Sequence, residues 1–169
     1  MACAWRGSRA LGVAAGSAIW LALLAAPALV LPAGARAAEQ IYPAPASAAA
    51  DIDAALQQAA GSHKRVLIDF GGNWCGDCIV LDRVFHEPQN AALLQQRFIV
   101  VHVNVGERGI DHNLDIGKRY GIPLFKGVPA LAVLDSAGQV VYSQKNGEFE
   151  SMRRMDPKSV NEFLVRWSQ

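Results

Sequence analysis

The chain has 169 residues, with 16 basic and 15 acidic side chains and a formal charge of +1. A charge so evenly balanced gives no electrostatic footprint for a polyanion, and it argues against a nucleic-acid partner. The length allows one domain with one hydrophobic core and is too short for two.

Residues 1–37 are typical of a secretory signal peptide. Two arginines give a basic start, an apolar stretch follows over residues 11–31, and Ala35 and Ala37 place small residues where signal peptidase reads. The alternative is a permanent membrane anchor, because the stretch is about long enough to span a bilayer. Its prolines and the small-residue site favour cleavage. We therefore expect cleavage after Ala37 and a periplasmic protein.

Residues 38–47 are rich in Ala and Pro, which disfavours regular helix and predicts a tether that serves only as a spacer. The domain itself is predicted to occupy residues 48–169. Its first helix should be capped by Ser47 and end at Gly61.

A buried central strand is predicted over residues 66–70, an apolar run rich in branched side chains and interrupted only by Asp69. A Gly-Gly-Asn turn follows. From Cys75 onward the apolar residues keep helical spacing as far as Pro88, so Cys75 and Cys78 should lie in the first turn of a helix.

The rest of the chain alternates strands and helices and includes a hairpin. The predicted elements are a helix over 91–96, a strand over 98–105, a helix over 111–120, strands over 130–134 and 139–143, and a last helix capped by Asp156. Asp111, His112 and Asp115 are expected on a solvated helix face. This order predicts an α/β fold with a mixed sheet covered by helices on both faces.

The cysteine pair is the candidate catalytic centre of the sequence. Cys3 leaves with the signal peptide, so Cys75 and Cys78 remain, and a disulfide between them would close a four-residue loop. Such a loop contributes only roughly 2 kcal/mol of stability, which makes a purely structural bridge a poor explanation. Covalent haem attachment would need a histidine at Ile79. A zinc site is also disfavoured, because the histidines lack paired ligand spacing: His63, His86, His102 and His112.

Thiol–disulfide exchange fits the spacing. At a helix start, Cys75 can use unpaired backbone N–H groups to favour its thiolate, while Cys78 lies one turn inside and is shielded. We expect Cys75 to attack and Cys78 to resolve the mixed disulfide. The charge of Asp77 beside Cys75 would disfavour the thiolate and make the couple more reducing. Alternatively, Asp77 only complements the helix dipole. Arg153 and Arg154 are expected simply on the surface.

Three segments of the sequence resemble the thioredoxin superfamily: Ile68-Asp69-Phe70, Trp74-Cys75-Gly76-Asp77-Cys78 and Gly127-Val128-Pro129-Ala130-Leu131. The resemblance covers most of residues 47–167. It implies a three-layer α/β/α sandwich with a mixed four- to five-stranded sheet. It also implies a cis peptide bond before Pro129, which would lie against the cysteines, and a Val128 backbone that binds an extended polypeptide.

The resemblance further implies that Asp69 accepts the proton of Cys78. The residues themselves agree, because an acid among apolar strand neighbours should be withdrawn from water, which suits proton transfer with a buried thiol. The alternative is a carboxylate that caps a nearby turn.

The sequence departs from ordinary thioredoxins in three places. Gly76-Asp77 replaces Gly-Pro, Gly71-Gly72 replaces Trp-Ala, and the segment 106–126 is longer. The longer segment, with Leu124-Phe125-Lys126-Gly127, is similar to exported thioredoxin-like proteins near the soluble domains of periplasmic disulfide reductases.

The resulting hypothesis is a periplasmic thiol–disulfide oxidoreductase that reduces protein disulfides. Trp74, Val128 and Pro129 should contact the substrate, and a membrane protein would supply electrons. We expect a monomer, with no metal and no cofactor beyond the redox-active disulfide. The alternatives are a disulfide oxidase or isomerase, and a non-catalytic thioredoxin-like module that binds polypeptides.

Overall fold

The computed structural model describes residues 40–169. The predicted signal peptide and the first two residues of the predicted tether lie outside the described residues. No helix in the described part is long and apolar enough to cross a membrane.

Four strands form one mixed sheet in the order β2-β1-β3-β4. The central strand β1 (Arg65–Gly71) pairs in parallel with β2 (Phe98–Asn104) and antiparallel with β3 (Ala130–Leu134), which forms a hairpin with β4 (Val140–Ser143). Because β1 has neighbours on both sides, six of its seven residues are buried.

Five α-helices cover the two faces of the sheet: α1 (Ala48–Ser62), α2 (Gly76–Phe85), α3 (Pro88–Arg97), α4 (Leu114–Arg119) and α5 (Lys158–Arg166). Side chains alternate between the faces of a strand. Ile68 accordingly belongs to the core beneath α1 and α4, whereas Leu67 belongs to the core beneath α2, α3 and α5. The predicted three-layer arrangement with a mixed sheet is confirmed.

Two helix predictions were inaccurate because left-handed residues set the ends. The helix α1 continues through Gly61 to Ser62, and His63 takes the left-handed conformation with φ 54°. Asn113, with φ 57°, delays the start of α4 until Leu114. Asp111 and His112 therefore lie in the preceding loop rather than on a helix face, and their side chains contact each other at 2.7 Å.

The segment of residues 40–47, which we call the N-terminal segment, is not a mere spacer. Tyr42 is fully buried, and its backbone exchanges two hydrogen bonds with the side chain of Asn73, at 2.8 and 3.1 Å. A 3-10 turn, Pro45–Ser47, leads into α1. Two more asparagine side chains donate to its carbonyl groups: Asn104 to Pro43 and Asn113 to Pro45. Composition predicted a tether, but one aromatic side chain and three asparagines dock the segment on the domain.

Candidate functional site

The cysteine pair lies at the start of α2, as predicted. Cys75 is the N-cap residue, with extended backbone angles, and the backbone N–H of Cys78 donates to its Sγ at 3.2 Å. The two cysteines form a disulfide. Cys78 is fully buried, and 6% of Cys75 is exposed. The Cys75 sulfur is therefore the one closer to solvent, which suits it for the first attack.

The chain crosses next to the disulfide at the start of β3. The Val128–Pro129 peptide bond is cis, which confirms what the resemblance implied. The carbonyl oxygen of Val128 lies 3.5 Å from Cys75 Sγ. The buried side chain of Gln144 holds this strand start, because its amide donates to Pro129 O at 3.3 Å and its oxygen accepts from Leu131 N at 3.2 Å. Nothing in the sequence pattern pointed to Gln144.

Two large side chains are exposed in the segments that flank the disulfide. Trp74 is 41% exposed, and its indole N–H donates to Gly106 O at 2.8 Å, so the ring is held by the loop after β2. Phe125 is 83% exposed in the 3-10 turn Leu124–Lys126, three residues before Val128. Exposed aromatic side chains are common anchors at protein interfaces.

Asp69 is fully buried on β1 and binds two side chains through one oxygen. Its Oδ2 accepts from the Tyr42 hydroxyl at 2.7 Å and contacts His102 Nδ1 at 3.0 Å. Its Oδ1 is buried and has no hydrogen-bond partner among the described residues. The carboxylate therefore does not cap a turn, and that alternative reading was wrong.

The neighbours of Asp69 are themselves perturbed by it. Burial, together with the charge and hydrogen bond of Asp69, raises the pKa of Tyr42 well above its usual value. For His102, burial lowers the pKa, but the hydrogen bond and charge of Asp69 outweigh burial and the pKa is raised. Both shifts favour the protonated side chains, so both groups act as donors to the carboxyl group.

Asp77, two residues after Cys75, forms an ion pair with Arg153. Its Oδ2 accepts from Nη2 and Nε of Arg153 at 2.8 and 3.1 Å, and its Oδ1 accepts from the Arg153 backbone N–H at 2.9 Å. The hydrogen bond from Arg153 lowers the pKa of Asp77 despite partial burial. Arg153 was expected to be merely a surface residue. Because Arg153 compensates the charge of Asp77, the argument that Asp77 makes the Cys75/Cys78 couple more reducing no longer holds.

Comparison with known proteins identifies the family. The thioredoxin-like family matches residues 47–136. The chain belongs to this family. It is 34% identical to a disulphide isomerase from Xylella fastidiosa Temecula1 whose crystal structure is known, with a TM-score of 0.73 over 79% of this chain and 100% of that one.

Two further proteins are similar to this chain. A thioredoxin from Chlorobaculum thiosulfatiphilum is 34% identical over 80 residues, 47% of this chain, and the chain spans only 64% of that relative's length. The C-terminal domain of DsbD from Neisseria meningitidis, in its oxidised form, is 19% identical with a TM-score of 0.51 over 75% of this chain and 97% of that one. The second similarity concerns the fold.

Two glycines that distinguish this chain from ordinary thioredoxins make room for its own aromatic side chains. A Cβ at Gly71 would overlap the Tyr42 ring. A Cβ at Gly72 would lie 2.5 Å from the indole nitrogen of Trp74. The Gly71-Gly72 pair is therefore a consequence of where Tyr42 and Trp74 pack.

The remaining histidines, His63 and His86, lie at the C-terminal ends of α1 and α2. His86 Nδ1 contacts Asp82 O at 2.8 Å on α2, and His63 ends α1. Within residues 40–169, no group of three His, Cys, Asp or Glu side chains is arranged to hold a metal ion.

Proposed function

We propose that this protein is a periplasmic thiol–disulfide oxidoreductase that reduces disulfides in other proteins. The observation that carries the proposal is the Cys75–Cys78 disulfide at the start of α2, with Cys75 facing the carbonyl of Val128. The sulfur that attacks the substrate is therefore the more exposed of the two. It lies beside a backbone segment with which an extended substrate chain can form hydrogen bonds.

The reaction proceeds in two exchanges. The Cys75 thiolate attacks one sulfur of a substrate disulfide, which forms a mixed disulfide and releases the other substrate sulfur as a thiolate. Cys78 then loses its proton to Asp69 and attacks Cys75 Sγ, so the Cys75–Cys78 bond forms and the second substrate sulfur leaves. The substrate gains two electrons. The protein ends in the oxidised form seen here, and a membrane electron donor would return it to the dithiol.

We base the proposed direction of electron flow on the charges and hydrogen bonds around Cys75. In the described residues, the hydrogen bond to Cys75 Sγ comes from the Cys78 backbone N–H, and the nearby cation of Arg153 is paired with Asp77. Strong oxidants of this type have a strongly stabilised thiolate, whereas reductants do not. We therefore place the couple near the reducing end, at about −270 mV.

Disulfide isomerisation is the second candidate. It is favoured by the 34% identity to the Xylella disulphide isomerase, whose whole chain is covered by the match. An isomerase uses the same first attack by Cys75 but regenerates the Cys75 thiolate when the substrate reshuffles.

The equilibrium potential of the Cys75/Cys78 couple tests the direction. We would equilibrate the mature protein in glutathione buffers and follow the thiol state by alkylation. A value below about −220 mV supports the reductase, one near −180 mV supports the isomerase, and one near −120 mV indicates an oxidase.

Replacement of Cys78 tests catalysis against passive binding. Cys78→Ser should trap mixed disulfides on Cys75 with substrate proteins, and the matched Cys75→Ser variant should trap none. A module that only binds polypeptides would bind equally in both variants and form no covalent adduct, which would reject the enzymatic proposal.

The proposed location requires its own test. N-terminal sequencing of the protein from a periplasmic fraction should begin at Ala38, as expected if residues 1–37 are a cleaved signal peptide. Recovery in the membrane fraction with the leader attached would support the anchor instead.

A further inference from the structure

Tyr42, Asp69 and His102 form a hydrogen-bonded cluster, and the two-cysteine mechanism uses only Asp69 of the three. The cluster joins the N-terminal segment, β1 and β2, and both hydrogen bonds to Asp69 end on the same oxygen, Oδ2. Its other oxygen is buried without a polar partner. A buried carboxyl oxygen without a hydrogen bond lowers the stability of the fold, so its presence calls for an explanation such as a catalytic role.

We propose that Tyr42 and His102 are positioning residues for resolution of the mixed disulfide, because they fix Oδ2 of Asp69 and so leave Oδ1 free to take the proton of Cys78. The inference rests on the proposed thiol–disulfide exchange. Cys78 belongs to the same packed cluster as Tyr42, and both Cys78 and Asp69 are fully buried, so the thiol and the carboxyl group are both withdrawn from water.

The placement of Tyr42 is specific. The absence of a side chain at Gly71 makes room for the ring, and Asn73 holds the Tyr42 backbone through both its N–H and its carbonyl group. The ring also packs edge-on against His102, with centroids 5.3 Å apart. The two donors to Asp69 thus fix each other as well as the carboxyl group.

His102 connects the cluster to solvent. It is directly opposite Asp69 in the pairing of β1 with β2, and its side chain is 24% exposed. It lines an open hollow whose other members come from the N-terminal segment, α2 and the residue that follows α2: Gln40, Ile41, Ile79, Asp82, Arg83 and His86. Asp69 itself is sealed, so His102 is the member of the cluster that meets water.

The chemical step is a proton transfer followed by exchange. The S–H bond of Cys78 breaks and its proton goes to Asp69 Oδ1. The resulting thiolate supplies the electron pair for the new bond to Cys75 Sγ, and the bond between Cys75 and the substrate sulfur breaks. A misaligned carboxyl oxygen slows such a transfer sharply, because the acceptor must come within hydrogen-bond reach of the thiol, directly or through one water molecule.

The test separates the two steps with 5,5′-dithiobis(2-nitrobenzoate) and the reduced, mature protein. Attack by Cys75 releases the first nitrothiophenolate, and resolution by Cys78 releases the second. We would compare Tyr42→Phe, which keeps the ring, and His102→Leu, which removes the donor, with His102→Asn, whose amide can donate near the position of Nδ1.

Tyr42→Phe and His102→Leu should slow the second release about tenfold and leave the first within twofold, since a general base contributes about 100-fold or more. His102→Asn should largely restore the second release. In an Asp69→Asn background, Tyr42→Phe should add nothing, because the group that it positions is gone.

The inference is overturned if both single variants release the second nitrothiophenolate at the wild-type rate, or if both steps slow equally. It is also overturned if Tyr42→Phe has its full effect in the Asp69→Asn background. Failure of the wild-type protein to release a second nitrothiophenolate would instead reject the proposed function. Urea unfolding of each variant shows that the compared proteins are folded.

Discussion

Two carboxyl groups flank the cysteine pair, and their surroundings are opposite. Asp69 is fully buried in the sheet and bound by a phenol and an imidazole, whereas Asp77 is 13% exposed and is bound by the guanidinium of Arg153, whose side chain is 67% exposed. Buried polar groups depend on internal partners because water cannot replace them. Exposed ion pairs are screened and weak. Changes on the buried side should therefore affect rate and stability most, and changes on the exposed side should tune potential and partner choice.

The largest effect should come from crowding Tyr42 at Gly71. In Gly71→Ala, the added methyl group overlaps the Tyr42 ring, so the N-terminal segment must shift and Asp69 loses a donor. We expect a loss of about 2 kcal/mol in the free energy of unfolding, measured in urea, together with slower resolution.

Gly61→Ala is the matched control, because a Cβ at Gly61 in α1 meets no atom within 4 Å. Alanine there should stabilise the helix by up to about 1 kcal/mol. Equal destabilisation by the two substitutions would contradict the role given to Gly71.

An intermediate effect is expected from Phe125 on the exposed side. Phe125→Ser should lower kcat/KM for a protein disulfide about fivefold, since exposed aromatic side chains often anchor partners. The same variant should reduce a small-molecule disulfide at the wild-type rate. Val165→Ser, which alters an exposed apolar side chain on α5, serves as the control. A loss with both substrates would mean that Phe125 acts on the chemistry instead.

A smaller effect is expected from breaking the surface ion pair. Arg153→Gln leaves the charge of Asp77 unbalanced near Cys75 and should make the potential more negative by about 10 mV. Asp77→Asn leaves Arg153 unpaired and should shift it in the opposite direction. Arg154→Gln carries the same charge change, but Arg154 binds Ser151, and its shift should be smaller. Shifts of one sign in all three would reject this electrostatic account.

The smallest effect concerns pH. The folded pKa of Asp77 lies below its usual 3.8, so its pairing stabilises the folded state above that pH and loses this contribution as the pH falls through the folded value. Urea midpoints of the wild type and Asp77→Asn should differ by a constant amount from pH 5 to 7 and converge in stronger acid. Convergence already at pH 6 would contradict the assignment.

Local sequence patterns predicted the parts of this molecule that local forces determine. The run of apolar residues predicted β1 and the burial of Asp69, and helical spacing after Cys75 predicted α2. The partners of the two aspartates could not be found in this way. Tyr42 lies 27 residues from Asp69, and Arg153 lies 76 residues from Asp77, so only tertiary packing brings them together. Averaged composition also hid Tyr42, because the alanines and prolines of residues 38–47 dominate that average and conceal one buried aromatic ring.

Because the N-terminal segment packs on the domain, the functional unit begins before the residues that the family model matches. The family similarity spans residues 47–136 and contains both cysteines, both aspartates and Pro129. Tyr42 precedes that span and Arg153 follows it, so each aspartate has a partner outside the residues that the family model matches. A substitution in either flank can therefore change the surroundings of one carboxyl group without altering the cysteines. A fragment cut at the family boundary would keep the reacting groups but lose the side chains that adjust them.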